Sequence, residues 1–429
     1  MAAEQHVFII GSKGIPAKYG GFETFVEKLT EYRKSKELIY HVACMEGNSQ
    51  KSGIDAEEFE YNGAHCFNVI VPNIGPARAI YYDIKALEMA INIAKNNGYE
   101  RPIFYVLACR IGPFIGRLKK KIHALGGLLY VNPDGHEWLR KKWSLPVRKY
   151  WKFSEKLMVK YADLLVCDSL NIQSYIEKDY QVFKPKTTYI AYGTDLTPSQ
   201  LKEHDQQVRD WYQAKGIKEK NYYLVVGRFV PENNYEAMLR GFMQSKSRKD
   251  FVLITNVETN KFYEQLKTQT GFDRDPRVKF VGTVYDQELL KYIREQAFAY
   301  FHGHEVGGTN PSLLEALGST SLNLLLDVGF NREVAEEGAL YWPKDRLHEV
   351  IQEAEKLSSE DISFMDYYRS HSNVIGKIVF IRKLNRTDDA PLIPYEAINI
   401  SDDGTLVVKS TDGKISKLSS GEVSLKFNR

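Results

Sequence analysis

Short apolar runs alternate with longer stretches of helical period along the first 190 residues. HVFIIG gives way to GFETFVEKLTEYRKS; YHVACM, FNVIVP and PIFYVLAC follow, with a helical stretch from about Tyr82 to Asn96 before the last of these. GGLLYVNP, a long basic and aromatic segment, and DLLVCDS complete the series. Strand-length apolar runs separated by helix-length patterns predict a parallel sheet covered by helices on both faces. The rhythm restarts after residue 220 with YYLVVG, DFVLITN, VKFVG, FAYFHG and SLNLLLD. Two similar α/β domains in tandem are therefore expected, over residues 1–195 and 196–375, joined near Tyr189–Ser199 where Gly, Asp and Pro interrupt the pattern. The end of the chain changes to β-type runs, KIVFIRKL, YEAINI, TLVVKS, KISKL and EVSLKF, with Asp403-Gly404, Asp412-Gly413 and Ser420-Gly421 as hairpin signals. Residues 376–429 are expected to form a small β-rich extension, of a size that suits an SH3-like barrel.

Composition narrows the class of partner. With 43% hydrophobic and 26% charged residues over 429 positions, the chain is an ordinary folded protein. Lys plus Arg (58) nearly balance Asp plus Glu (55), and a net charge of +3 argues against a nucleic-acid-binding surface. Any basic function must be local. Cys44, Cys66, Cys109 and Cys167 are widely spaced, without CxxC pairs or histidines at zinc-ligand spacing, so reduced thiols in a cytoplasmic compartment are expected. The opening MAAEQHVFIIG lacks the basic start and cleavage site of a signal peptide, and no long apolar stretch predicts a membrane span.

Four constellations carry candidate chemistry. GSKGIPAKYGGFE, residues 11–23, leaves a strand and enters an amphipathic helix; Gly14, Gly20 and Gly21 suit a loop whose backbone approaches a ligand, with helix N–H groups that favour an anion. A dinucleotide fold wants GxGxxG, whereas Gly11 and Gly14 are spaced GxxG, which disfavours an NAD-dependent oxidoreductase and leaves a ligand-lining loop or a plain glycine-rich turn. In GHEVGGTNPSLLEALG, residues 303–318, Asn310 is a good N-cap and Pro311 a good first helical residue. The N–H groups of Ser312 and Leu313, beside Thr309, are then expected to point outward at a diphosphate. Glu315, about one turn inside, could accept from a pair of sugar hydroxyls, or the segment is simply a capped helix with a solvated Glu.

In VVGRFVPENN, residues 225–234, Arg228 stands at the carboxyl end of a strand, where a guanidinium takes phosphate oxygens bidentately unless it makes a surface ion pair. In VNPDGHEWLRKKW, residues 131–143, Asp134 and Glu137 have capping-box spacing; the alternative is that Asp134 and His136 face an interdomain cleft and contact the reacting sugar or its acceptor. Behind them Arg140, Lys141, Lys142 and Trp143, then Arg148, Lys149, Tyr150, Trp151 and Lys152, suit an anionic membrane or a lipid diphosphate, or form a solvated helical face. Arg117, Lys119, Lys120 and Lys121 add a second basic cluster. Asp273-Arg274-Asp275 has a DxD spacing but follows QTGF rather than a strand and is expected to be a loop. His302 and His304 lack a third ligand, so no metal site or cofactor is expected.

The segments GSKGIPAKYGGFETFVEKL, NPDGHEW, VVGRFVPENN and GHEVGGTNPSLLEAL, in that order over residues 1 to about 340, resemble retaining GT-B glycosyltransferases of the family 4 type. More narrowly they resemble the bacterial rhamnosyltransferases of capsule and cell-wall polysaccharide synthesis. The resemblance implies an α/β GT-B fold: two Rossmann-like domains facing a cleft, the N-terminal one binding acceptor and the C-terminal one binding nucleotide-sugar. It assigns Arg228 to the donor diphosphate and Glu315 to the ribose, and it implies metal independence. It further implies dTDP-β-L-rhamnose as donor, a GlcNAc or glucose on a polyprenyl-diphosphate lipid as acceptor, and peripheral association with the inner face of the plasma membrane. A UDP-hexose donor and a non-catalytic nucleotide-sugar-binding subunit are the alternatives.

Three departures from the family pattern stand out. The acid expected eight positions before Glu315 is Gly307, with Glu305 the nearest carboxylate; Asn233 replaces a lysine that normally accompanies the arginine; and the closing helical pattern fades after about Arg369. Glu305 and Asn233 remain the donor-binding candidates at those places. The expected chemistry is front-face transfer, in which the leaving diphosphate helps deprotonate the acceptor hydroxyl while Arg228 and the Asn310 helix end stabilise charge. A double displacement would need a carboxylate nucleophile, for which Asp134 is the candidate. The ending DDGTLVVKSTDGKISKLSSGEVSLKF resembles the C-terminal barrel of biotin protein ligases.

Overall fold

The computed structural model describes residues 4–18, 20–140, 143–258, 261–306, 308–358, 369, 372, 374–383, 393–401, 405–418 and 423–427. They divide into two compact units, one within 1–244 and 248–347, the other within 245–247 and 348–429.

The larger unit holds two sheets. The first lobe runs β1 (Gln5–Ile10), α1 (Gly21–Glu31), β2 (Leu38–Met45), α2 (Glu46–Gln50), β3 (Glu58–Tyr61), β4 (Ala64–Val69) and α3 (Arg78–Asn96). It continues with β5 (Ile103–Leu107), α4 (Gly112–Ala124), β6 (Leu128–Asn132), α5 (Leu145–Tyr161), β7 (Leu164–Cys167), α6 (Leu170–Asp179) and β8 (Thr187–Tyr189). Its strand order is β3-β4-β2-β1-β5-β6-β7-β8, parallel except for the antiparallel edge strand β3. The second lobe runs α7 (Gln206–Lys215), β9 (Tyr222–Val226), α8 (Tyr235–Gln244), β10 (Asp250–Ile254), α9 (Lys261–Thr270), β11 (Val278–Gly282) and α10 (Gln287–Glu295). Then come β12 (Ala299–His302), α11 (Pro311–Ser319), β13 (Asn323–Leu326), α12 (Gly329–Ala335) and β14 (Leu340–Trp342), in a parallel sheet of order β11-β10-β9-β12-β13-β14. The doubly covered sheets explain why the strands read as unbroken apolar runs. In β1, Phe8 and Ile10 join the core beneath α3, α4 and α5, while Ile9 joins the one beneath α1, and all three are fully buried. On α3 the buried stripe Ala86, Leu87, Ala90, Ile91 and Ala94 follows the helical period, and burying one such Leu contributes about 1.5–3 kcal/mol.

Three histidines line up across β1, β2 and β4. His6 Nδ1 lies 3.0 Å from His41 Nε2, His41 Nδ1 lies 3.1 Å from His65 Nδ1, and His65 Nε2 lies 3.1 Å from Glu58 Oε2. Tyr99 stacks on His6 at 3.6 Å. Burial first, then the neighbouring imidazoles, holds His41 down to about 3.

The smaller unit is entered through α13 (Leu347–Ser358) and carries β15 (Ile378–Lys383), β16 (Ile393–Ile400), β17 (Leu406–Ser410), β18 (Ile415–Leu418) and β19 (Val423–Phe427). They form one antiparallel sheet, β18-β17-β16-β15-β19, around Val379, Ala397 and Val408. All five β-type runs of the tail are strands. Asp412-Gly413 makes the predicted turn, with Gly413 N donating to Ser410 O at 2.9 Å. Asp403-Gly404 and Ser420-Gly421 lie outside the described residues. Among the described residues no helix is long and apolar enough to cross a membrane.

Candidate active site

Both lobes present the carboxyl ends of their strands to the same region of the larger unit, the edge at which open α/β sheets bind ligands. After β1 the loop 11–20 is strapped down by two carboxylates one turn apart on α1. Glu23 accepts from Lys13 N at 2.7 Å, and Glu27 accepts from Ala17 N and Tyr61 Oη, both at 3.0 Å. Gly14 and Gly20 do not open the backbone to a ligand as the sequence suggests: a Cβ on Gly14 would collide with Cys44 and one on Gly20 with the Glu23 carboxylate, both within the first lobe. Gly21 is different. A Cβ there would first meet Pro311 Cγ of the second lobe, at 3.9 Å, so the start of α1 faces the start of α11.

The turn after β6 corrects a second expectation. Asp134 and Glu137 do not form a capping box. Asp134 (φ +56°) and His136 (φ +44°) both adopt left-handed backbone, costly for non-glycine residues and typical of functional sites. Asp134 N donates to Asn132 Oδ1 at 2.7 Å, and burial, against the pull of Arg140 and Arg110, raises its carboxyl above the usual range. His136 packs its ring on Tyr175 at 4.1 Å and edge-on to Trp138 at 5.9 Å, within its own lobe. Glu137 serves its neighbours, accepting from Trp143 Nε1 at 2.9 Å and pairing with Arg140.

That pairing relocates two residues assigned by sequence to the membrane. Arg140 has a side chain only 14% exposed, and its charge reaches Asp134 and, in the second lobe, His304. Trp143 is half-buried beside Trp151. Lys141 and Lys142 lie outside the described residues. One group of exposed basic and apolar side chains of this lobe lies on α4 and α5, which pack together. Phe114 (47% exposed), Leu145 (69%) and Phe153 (54%) are interleaved there with exposed Arg117, Lys120, Lys121, Lys149, Lys156 and Lys160.

In the second lobe Arg228 follows β9, exposed, with its guanidinium unpaired among the described residues. Asn233 takes a supporting place: its Nδ2 donates to Arg228 O at 2.7 Å, and its Oδ1 lies 2.8 Å from His304 Nδ1. The amide oxygen only accepts, so His304 donates through Nδ1 and keeps a bare Nε2. Burial first, then His302, Arg140 and Arg228, holds this ring down to about 3; burial does the same to His302. The pair read by sequence as weak metal-ligand candidates is thus a pair of neutral imidazoles. Among the described residues no group of three or more His, Cys, Asp or Glu is placed to hold a metal ion. The DxD-spaced Asp273 and Asp275 pair with Lys267 and Arg277 around a short turn.

Asn310 caps α11, accepting from Ser312 N at 2.9 Å, and Leu313 N donates to Asn310 O at 3.0 Å. The two N–H groups expected to point outward are therefore occupied. Glu315 is not left to solvent alone either: it pairs with the buried Arg294 at 2.5 Å. Glu305 pairs with Lys344, and Thr309 donates across the lobes to Asp168 O at 2.8 Å.

Asp168 and Glu333 were not singled out by sequence. Asp168 ends the LLVCD run after β7, where an acidic residue followed by Ser169 signals only a helix start, and Ser169 does cap α6. Its carboxyl is buried, and among the described residues Oδ1 has no hydrogen-bond partner. Burial first, then Asp134, pushes it up to about 7. Glu333 of α12 accepts from Ser169 Oγ at 2.7 Å and from Asn171 N at 3.0 Å, a carboxylate of one lobe on the positive helix end of the other. Although burial opposes it, these bonds hold Glu333 below the usual carboxylate range.

Residues 4–195 match a family described as a domain of unknown function, DUF1972. No curated protein matches the chain. Solved structures do. Sucrose-phosphate synthase from Thermosynechococcus elongatus aligns with a TM-score of 0.66 at 16% identity, over 82% of this chain and 90% of that one. Alpha,alpha-trehalose 6-phosphate synthase from Burkholderia multivorans aligns at 0.61 and 10%, over 83% and 91%. Anabaena HepE in complex with UDP-glucose aligns at 0.57 and 13%, over 83% and 90%. The α/β architecture with its parallel sheets is the GT-B fold of these proteins.

Proposed function

We propose that the chain is a metal-independent glycosyltransferase that takes a sugar from a nucleoside-diphosphate donor at the second lobe and passes it to an acceptor at the first. The observation that carries this reading is Arg228: an exposed guanidinium at a strand's carboxyl end, unpaired among the described residues and backed by Asn233 and the neutral His304. A cation without a carboxylate partner at such an edge suits the oxygens of a diphosphate. As the C1–O bond to the diphosphate breaks, its electron pair passes to the leaving group, whose growing charge Arg228 stabilises. The acceptor hydroxyl oxygen bonds C1 on the same face, and its proton passes to the departing phosphate.

The motifs favour L-rhamnose from dTDP-β-L-rhamnose, moved to a GlcNAc or glucose on a polyprenyl-diphosphate lipid. A UDP-hexose donor is the second reading, favoured by the UDP-glucose in the HepE structure. A lipid acceptor requires a membrane-facing surface, and the exposed Phe114, Leu145 and Phe153 among lysines on α4 and α5 suit that role. The protein then works peripherally, at the cytoplasmic face of the plasma membrane. The test incubates it with dTDP-rhamnose, UDP-glucose or UDP-GlcNAc, EDTA present, and a lipid-diphosphate GlcNAc or glucose, read by mass spectrometry. A gain of one deoxyhexose from dTDP-rhamnose alone is expected. A hexose gain moves the donor to UDP-sugars, and no transfer or nucleotide binding from any donor overturns the reading.

A further inference from the structure

Among the described residues, the hydrogen bonds that join the two lobes gather on one turn of the first, Asp168 to Asn171, between β7 and α6, apart from one from Lys291 to Asp195 at the joint. Glu333 holds the start of α6, and the Thr309 hydroxyl holds the backbone of Asp168. The Asp168 side chain has another neighbour. Its unpartnered Oδ1 faces Gly308, where an added Cβ would stand only 2.5 Å away, closer than packed atoms approach. Thr309, Asn310 and the start of α11 follow directly in sequence. Asp168 is buried and its carboxyl has little room to turn aside, so a methyl group at 308 would push this segment away from the first lobe.

We infer that Asp168 is a positioning residue of the transfer reaction: its carboxyl is the seat on which Gly308 lands when the lobes close, fixing Thr309, Asn310 and the α11 start opposite Gly21. This deepens the glycosyltransferase reading and rests on it for turnover, whereas closure is read without substrate. The seat suits an uncharged carboxyl. Around Asp168 stand Asp134 from the end of β6, Glu333 from α12, and the neutral hydroxyls of Tyr192, Tyr105 on β5 and Tyr189 on β8. Two of these are like charges. Parting the lobes removes Glu333 and lets water in, which lowers the carboxyl toward the free value of about 3.9, whereas seated Asp168 holds its proton up to about 7. Closure therefore takes up a proton between these values. The closed fraction falls as pH rises through that window, by at most about tenfold per unit in the closure constant, and levels off above it.

All four native cysteines are buried, so fluorophores can be placed on Lys36→Cys in the first lobe and Gln265→Cys in the second, both exposed positions, and lobe distance read by energy transfer. The wild type is expected to open as pH rises from 5 to 7. Gly308→Ala should be open throughout, with kcat lowered on the order of 10- to 100-fold and the free-nucleotide Kd within twofold. Gly308→Ala combined with Asp168→Ala, which gives the methyl room, should close again and recover kcat. Asp168→Asn, which stays neutral, should remain closed across the range. Wild-type distances and kcat in Gly308→Ala overturn the inference, as does a folded double variant that stays open. Should Gly308→Ala fail to fold, Asp168→Asn decides: pH-dependent closure like the wild type overturns it. If closure behaves as described but no donor supports transfer, the glycosyltransferase reading fails and the seat stands.

Discussion

Replacing Glu315 by Ala tests whether this carboxylate belongs to the fold, to the donor site, or to both. Its partner Arg294 has a side chain only 6% exposed, whereas that of Glu315 is 37% exposed, and they meet at 2.5 Å. Among the described residues Arg294 Nε has no acceptor of its own, so Glu315 supplies most of what compensates a buried cation. Removing one member of a fully buried pair costs about 3–5 kcal/mol, and an exposed pair contributes about 0–1 kcal/mol. With one partner buried and the other a third exposed, water reaches the stranded guanidinium from one side only, and the expected loss is about 2 kcal/mol. At roughly 2–4 °C per kcal/mol for a domain of this size, Tm should fall by about 4–8 °C. Circular dichroism melts and urea titrations measure it. Adding Arg294→Met should restore most of the loss, because the charge left without compensation is then gone. A loss below about 0.5 kcal/mol in Glu315→Ala, or a double variant weaker still, refutes the argument. At a temperature where both proteins are folded, a raised donor KM with unchanged kcat would assign Glu315 a ribose contact as well.

Arg228→Ala should lower kcat/KM on the order of 100-fold while leaving Tm unmoved, because the side chain is exposed and, among the described residues, unpaired; near-normal kinetics would remove the diphosphate assignment. His41, His302 and His304 are held neutral by burial down to about 3. The unfolded chain binds their protons first, so their contribution is present above about pH 6.5 and lost as pH falls, at up to about 1.4 kcal/mol per unit each. Asp168 acts in the opposite sense: raised to about 7, it favours the folded state at low pH and loses that contribution as pH rises from about 3.9 to about 7. The balance is a net loss on acidification, and urea midpoints that stay level from pH 7 to 5 would contradict it. Charge reversal at Lys149 and Lys156 should weaken binding to phosphatidylglycerol vesicles about fivefold per residue, and Phe153→Glu should abolish it. Sedimentation with Arg140→Ala as the comparison should show no loss, since Arg140 is turned inward to Glu137.

Much of the fold is legible in the chain because its strands are buried on both faces and therefore uniformly apolar, as HVFIIG and YYLVVG are. The short edges are not. β3 has the half-exposed sequence EFEY, and β8 only three residues, so neither carries enough period to stand out. At the site, local signals succeeded where the interaction is local: Asn310 and Pro311 start α11 as their residue types require. They failed where a partner comes from elsewhere in the chain. Asp134 and Glu137 have capping-box spacing, but left-handed backbone at Asp134 and His136 turns the chain away from a helix, and Arg140 and Trp143 claim Glu137. Glu315 reads as a free acid until α10 brings Arg294 against it. Asp168 and Gly308 lie 140 positions apart, and nothing in either segment announces the other.

The row of His6, His41 and His65 has a direction. Each link needs one N–H and one lone pair, and a carboxylate offers no proton, so Glu58 obliges His65 to carry its hydrogen on Nε2. With a single hydrogen on its ring, His65 then accepts through Nδ1, so His41 donates from Nδ1 and accepts through Nε2, and His6 donates from Nδ1. One exposed residue on the edge strand thereby dictates the tautomer of three rings reaching into the sheet. A lysine at position 58 would invert all three, leaving His6 with its hydrogen on Nε2, toward Glu4. The β3 edge thus works as a compass for the interior, and nitrogen chemical shifts of the three imidazoles would show the needle turn.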